Sequence, residues 1–200
     1  MKYNPHIHNR QSIRLKGYDY AQAGFYFITI CCQNRAHLFG EIQNGKMILN
    51  VFGNIAHTQW YKTAQIRDNC KMHEFIIMPN HLHGIIEITH QKEENKGIGK
   101  FQSPSQAIGS IIRGFKIATI KNIKDIINNG TGKFQFAPTA GFSGTEQFSA
   151  TQIIKSLDFK IWQRNYYEHI IRNQKAYNNI SNYIVNNPDN WDEDKFHQPK

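Results

Sequence analysis

The sequence has no long apolar run. None of its hydrophobic stretches approaches the roughly 18 residues that a membrane-spanning helix needs. Met1 to His8 is polar and lacks the apolar core of a signal peptide. Membrane insertion and secretion are therefore disfavoured, and a cytoplasmic protein is expected. Cysteine is scarce, with Cys31, Cys32 and Cys70 the only three. Two of them are adjacent, which suits neither a CxxC metal clip nor a disulfide framework, so reduced thiols are expected. Acidic residues are also few: 15 Asp and Glu stand against 24 Lys and Arg, for a net charge of +9. That excess points to a polyanionic partner, nucleic acid first and an acidic membrane surface second. A chain rich in Ile, Asn and Lys is, however, also what an AT-biased genome produces.

What is present suffices for a globular fold. The chain has 200 residues, 40% of them hydrophobic, enough for one domain with a core that needs no disulfide staples. Residues 1–22 read as a basic, aromatic arm carrying Arg10, Arg14, Lys16, Tyr18 and Tyr20. Gly24 to Gln33 alternates with apolar residues on both faces, the mark of a central strand. Leu38–Gln43 and Lys46–Asn50 flank Asn44-Gly45, a type I′ hairpin signal. Val51 to Ala64 has helical spacing. Met72–Met78 and His81–Thr89 are strands broken by a Pro79-Asn80 turn. A second helix is expected from an N-cap at Ser103, with Pro104 first and Gln106 third, and Ile108, Ile111, Ile112, Phe115 and Thr119 on its buried face. Residues 128–156 are rich in Gly, Ser, Thr, Phe and Gln and read as a mobile insertion, poor in core residues. Phe159–Tyr167 reads as the last strand and its exit, and Asn173 caps a final helix running to about Asn187, stopped by Pro188. Without the hairpin, the order is β-α-β-β-α-β. The expected fold is α+β, a ferredoxin-like split βαβ arrangement: an antiparallel sheet with helices packed on one face, plus the arm and the hairpin insertion.

The most specific stretch is Met78-Pro-Asn-His-Leu-His-Gly. Residues i and i+2 of a strand share a face. His81 and His83 therefore project together, with Cα atoms roughly 6.5–7 Å apart, and can share one divalent metal. A bare His-x-His also occurs as two half-buried rings on a sheet. A third ligand could come from Asn187, an oxygen donor near the end of the last helix. Tyr183 lies four residues before it, on the same helix face, as a candidate nucleophile. The same tyrosine could simply pack with Ile180 and Ile184. Tyr166 and Tyr167 are rival nucleophiles, of which strand alternation lets only one face the site. Two imidazoles and an amide oxygen, without a thiolate, suit Mg²⁺ or Mn²⁺ phosphate chemistry or an open Zn²⁺ site.

These residues resemble a family. Met78-Pro-Asn-His-Leu-His-Gly is similar to the HUH motif of single-tyrosine transposases. Arg14-Leu-Lys-Gly-Tyr-Asp-Tyr with Gly24-Phe-Tyr-Phe-Ile-Thr, Trp162-Gln-Arg-Asn-Tyr-Tyr-Glu-His-Ile-Ile-Arg, and Tyr183-Ile-Val-Asn-Asn-Pro resemble the REP-associated tyrosine transposase branch. Together they span nearly the whole chain outside 128–156. The resemblance implies a metal-dependent single-stranded DNA endonuclease and strand transferase. Its partner would be hairpin DNA formed by palindromic repeats, cut through a 5′-phosphotyrosine intermediate that leaves a free 3′-OH. It implies His81 and His83 as ligands of Mg²⁺ or Mn²⁺, Tyr183 as nucleophile, Asn187 in place of the helix-borne polar ligand that is often Gln, and a monomer rather than a dimer. Arg10, Arg14, Lys16, Tyr18, Arg113, Lys116 and Arg164 become the expected DNA contacts. Two other readings carry different signatures. A water-nucleophile phosphodiesterase would survive loss of Tyr183, and a non-catalytic single-strand binder would be indifferent to metal.

Overall fold

Both faces of Gly24–Cys31 are apolar, and this strand, β1, lies inside the sheet. It pairs antiparallel with β5 (His81–Ile88) on one side and with β6 (Tyr167–Ile171) on the other. In chain order, β2 (Gly40–Gln43), β3 (Lys46–Leu49), α1 (Val51–Gln65) and β4 (Cys70–Met78) intervene before β5. After β5 come α2 (Ile108–Asn129), α3 (Gly144–Ser156), β6 and α4 (Gln174–Val185). The four-stranded antiparallel sheet runs β4-β5-β1-β6, and β2 with β3 forms a separate hairpin. This is a computed structural model, and it describes residues 15, 17–90, 107–129 and 144–197. The expected N-cap at Ser103 and most of the 1–22 arm lie outside the described residues.

Period-2 alternation sorts the sheet's side chains. Tyr26, Ile28 and Ile30 of β1 and Leu82, Ile86 and Ile88 of β5 enter the main core with Phe52, Ile55 and Trp60 of α1 and Ile108, Ile111, Ile112 and Phe115 of α2. This is the expected helical layer on one face. Gly84 is required there by space: a Cβ would sit 2.6 Å from Trp60 Cζ2 and 3.0 Å from Phe75 Cβ. Phe25 and Phe27 of β1 and Ile85 of β5 point the other way. They meet Ile171 of β6 and Ile180 and Ile184 of α4. So α4 lies across the opposite face, the one that carries His81 and His83.

The local signals hold in most places. Asn44 (φ 50°) and Gly45 (φ 71°) both have the positive φ of a type I′ turn. Asn173 caps α4, its side chain accepting from Ala176 N at 2.8 Å. Three readings need correction. The last strand is Tyr167–Ile171, not 159–167: Trp162 makes only an isolated bridge to Cys32. The carbonyls of Gln163, Arg164 and Asn165 are instead taken by the Lys116 ammonium at 2.8, 3.4 and 3.3 Å, so no ladder forms there. Residues 144–156, read as part of a stretch poor in core, form α3, which buries Ala150 and Ile154. The last helix ends at Val185, and Asn187 lies in the turn beyond it. Among the described residues, no helix is long and apolar enough to cross a membrane.

Candidate active site

The site is built at the first turn of β5. Asn80 closes the β4–β5 turn, and all of its amide is used. Its Nδ2 donates to the carbonyls of Arg35 at 3.1 Å and Phe196 at 2.7 Å. The amide's orientation is thereby fixed, and Oδ1 lies 2.8 Å from His81 Nδ1. An amide oxygen can only accept, so His81 carries its proton on Nδ1 and its Nε2 holds a bare lone pair. That Nε2 is buried with no hydrogen-bond partner. Two residues on, His83 Nδ1 lies 2.8 Å from Thr29 Oγ1, directly across the ladder on β1. The two rings stand edge to face, with centroids 4.5 Å apart.

Both rings are almost wholly buried, at 0% and 2% exposure. Burial drives the His81 pKa down to about 4, against the opposing pull of the Asp194 carboxylate. Burial, then the charge of His81, holds His83 well below its ordinary value. Neutral imidazoles are the form that donates lone pairs to a metal.

From α4, Tyr183 brings its hydroxyl to 3.1 Å from His83 Nε2. The residue is 43% exposed. Burial of the rest, together with Asp194, raises its pKa above the usual phenol value, while the Asn187 amide opposes the shift. Helix α4 is held to the sheet by a polar chain. His73 Nε2 donates to Glu87 at 2.9 Å, and the Tyr177 hydroxyl bridges His73 Nδ1 at 3.0 Å and Glu74 at 2.8 Å.

Asp194 is the site residue that sequence reasoning missed. One ligand atom each of His81, His83 and Asp194 lie within 4.8 Å of one another. Asn187 Nδ2 donates to Asp194 Oδ2 at 3.2 Å, while Asn187 Oδ1 is buried and unpartnered. The segment after α4 folds back to put Asp194 there. Trp191 packs 6.0 Å from His81, Phe196 packs 4.8 Å from it, and Arg35 donates to the Lys195 carbonyl at 2.9 Å. A sequence signal did exist, in Asp192-Glu193-Asp194, an acidic run in a chain short of acids.

The remaining predicted residues scatter. Tyr18 is half-buried against the helix-side core, its hydroxyl 3.3 Å from that of Tyr26. Arg113 is exposed on α2, also on the side away from the histidines. Lys116 is not a free surface cation: besides its three carbonyls it lies 5.6 Å over the Tyr166 ring, and burial lowers its pKa to about 8. Arg164 is exposed in the loop leading into β6. Of the paired tyrosines, Tyr166 packs toward the helix-side core, and Tyr167 faces the histidine side beside Phe27. Arg10, Arg14 and Lys16 lie outside the described residues.

A Haemophilus influenzae protein, itself uncharacterised, is 41% identical over 98% of this chain and 97% of its own length. The chain belongs to that protein's family. No protein-family model matches the chain. Its fold is that of a REP-associated tyrosine transposase solved bound to a REP hairpin: the TM-score is 0.52 at 18% identity, over 88% of this chain and 73% of that one. The match agrees with the expected α+β architecture.

Proposed function

We propose that this family member is a metal-dependent single-stranded DNA endonuclease and strand transferase, a REP-associated tyrosine transposase of the HUH type, acting on hairpin DNA in the cytoplasm. The observation that carries the reading is the Tyr183 hydroxyl, 3.1 Å from His83 Nε2 on a residue that is 43% exposed. The residues fit a divalent ion. His81 Nε2 and Asn187 Oδ1 are buried acceptors without partners, and Asp194 adds a carboxylate beside both rings. Two imidazoles and two oxygen donors suit Mg²⁺ or Mn²⁺. Bound there, the ion supplies Lewis-acid polarisation of a phosphate and a positive charge.

The chain's own groups do the rest. Tyr183 Oη attacks the phosphorus, forming one O–P bond, while the P–O3′ bond breaks and the 3′ oxygen leaves to become a 3′-OH. The DNA stays joined to Tyr183 through its 5′ phosphate. Attack by a 3′-OH on that linkage reverses the exchange, and because one phosphoester replaces another, no nucleotide cofactor is needed. The raised Tyr183 pKa means the phenol is protonated at neutral pH, so the site must both accept its proton and balance the charge. Fixing the histidine rings falls to Asn80 and Thr29.

The test is a denaturing-gel adduct assay on labelled hairpin DNA from the flanks of the gene, with Mn²⁺. The expected result is a protein–DNA band lost in Tyr183→Phe and in EDTA but kept in Tyr166→Phe/Tyr167→Phe. Cleavage without an adduct that survives Tyr183→Phe would replace the tyrosine by a water nucleophile. Salt-sensitive binding with neither cleavage nor adduct would leave a non-catalytic binder.

A further inference from the structure

Tyr167 is 48% exposed, yet it stands in a row with the site. The ladder register places Tyr167 opposite Thr29, and Thr29 opposite His83. Tyr167 is therefore two strand spacings, about 10 Å, from His83 on the same face. Phe27, two residues from Thr29 on the same face of β1, links them. Phe27 stacks on His83 at 5.4 Å and 26°, and both Tyr183 and Tyr167 meet Phe27 edge-on, at 6.2 and 6.3 Å. β6 is the edge strand of the sheet. The phase of the Tyr pair is fixed by Lys116, which pins the carbonyls of residues 163–165 and covers the Tyr166 ring. Tyr166 is thereby turned to the helix side and Tyr167 is presented outward. Arg164 is exposed in the loop three residues earlier.

An exposed phenol on a rigid strand, backed by another ring and set next to a phosphate-reactive centre, has the chemistry of a base-stacking platform. We infer that Tyr167, backed by Phe27, is a binding subsite for an unpaired nucleobase flanking the phosphate that Tyr183 attacks. This rests on the reading of the site as one for single-stranded DNA. Stacking needs a π-face and no sequence, so the subsite holds the strand in place without selecting a base. The phenol hydroxyl is dispensable and the ring is not.

The test measures binding and adduct formation separately. Short single-stranded and hairpin oligonucleotides, with 2-aminopurine or an abasic residue stepped through the positions flanking the cut, are titrated into wild type, Tyr167→Phe and Tyr167→Ala. The expected result is a 5- to 150-fold weaker Kd, roughly, for Tyr167→Ala, with Tyr167→Phe near wild type and unchanged thermal stability. At one position the 2-aminopurine is quenched on wild type but not on Tyr167→Ala, and an abasic residue there makes the two proteins equal. Equal affinity of Tyr167→Ala and wild type on every oligonucleotide would overturn the inference. If wild type forms no adduct but Tyr167→Ala still loses affinity and quenching, the strand-transferase reading fails and the subsite stands.

Discussion

Asn80→Ala separates the support of the site from its ligands. The substitution removes three hydrogen bonds in a fully buried setting: Nδ2 to the carbonyls of Arg35 and Phe196, and Oδ1 from His81 Nδ1. At about 1 kcal/mol net for each, the metal-free protein loses about 3 kcal/mol, and its melting temperature falls roughly 6–12 °C for a chain of this size. The second loss is specific. Without Oδ1 the His81 ring is no longer held in the tautomer that frees Nε2, and loss of such an orienting partner weakens a metal site by roughly 10- to 100-fold. Thermal unfolding in EDTA gives the first quantity, and Mn²⁺ titration by calorimetry at a temperature where both proteins are folded gives the second. Asn80→Asp keeps an acceptor for His81 but turns a carboxylate oxygen toward two carbonyls. It should lose at least as much stability while keeping most of the Mn²⁺ affinity. Mn²⁺ affinity of folded Asn80→Ala within twofold of wild type would refute the argument, because the tautomer would then not depend on Asn80.

Acid should destabilise the metal-free protein below neutrality. Above about pH 6.5 the His81 ring is neutral folded or unfolded; between there and its folded value of about 4 only the unfolded chain takes the proton. Stability then falls as pH falls, by up to about 1.4 kcal/mol per pH unit for this ring, with His83 adding in the same direction. Urea unfolding at pH 7, 6 and 5 reads this, and a flat profile would contradict it. Gly84→Ala should cost about 1–3 kcal/mol by overpacking against Trp60, read as a lower urea midpoint, whereas at Gly17 a Cβ meets nothing within 4 Å and the same substitution should cost only the strain of its φ of +82°, about 1–2 kcal/mol. Tyr177→Phe removes the hydroxyl between Glu74 and His73 and should cost about 1 kcal/mol. Faster amide exchange confined to α4 is the expected signature.

The features written in local periods were legible. Alternation identified β1 as an inner strand and put His81 and His83 on one face. Asn44-Gly45 marked the hairpin, and Asn173 the start of α4. What could not be read depends on distant partners. The phase of the last strand is set by an ammonium from α2 taking three carbonyls, and no pattern within 159–171 encodes that. Among its described side chains α3 buries Ala150 and Ile154 in the main core, too few apolar positions to stand out among Gly, Ser and Thr. Asn80 looked like a turn residue because its three bonds reach residues 35, 81 and 196. Lys116 looked like a phosphate contact because a sequence cannot show that a cation is already occupied inside the fold.

The fold-back of residues 191–197 also bears on the order in which the protein becomes competent during synthesis. The Asn80 side chain waits for a carbonyl 116 positions further along the chain, and the His pair waits for Asp194. A nascent chain that has released helices α1–α4 and strands β1–β6 from the ribosome still has an open, three-sided donor set. On the proposed function, the donor set is complete only when the last of these residues arrives. A premature stop before codon 194 would thus yield a polypeptide with its sheet and helices encoded but without the carboxylate that lies beside both histidines.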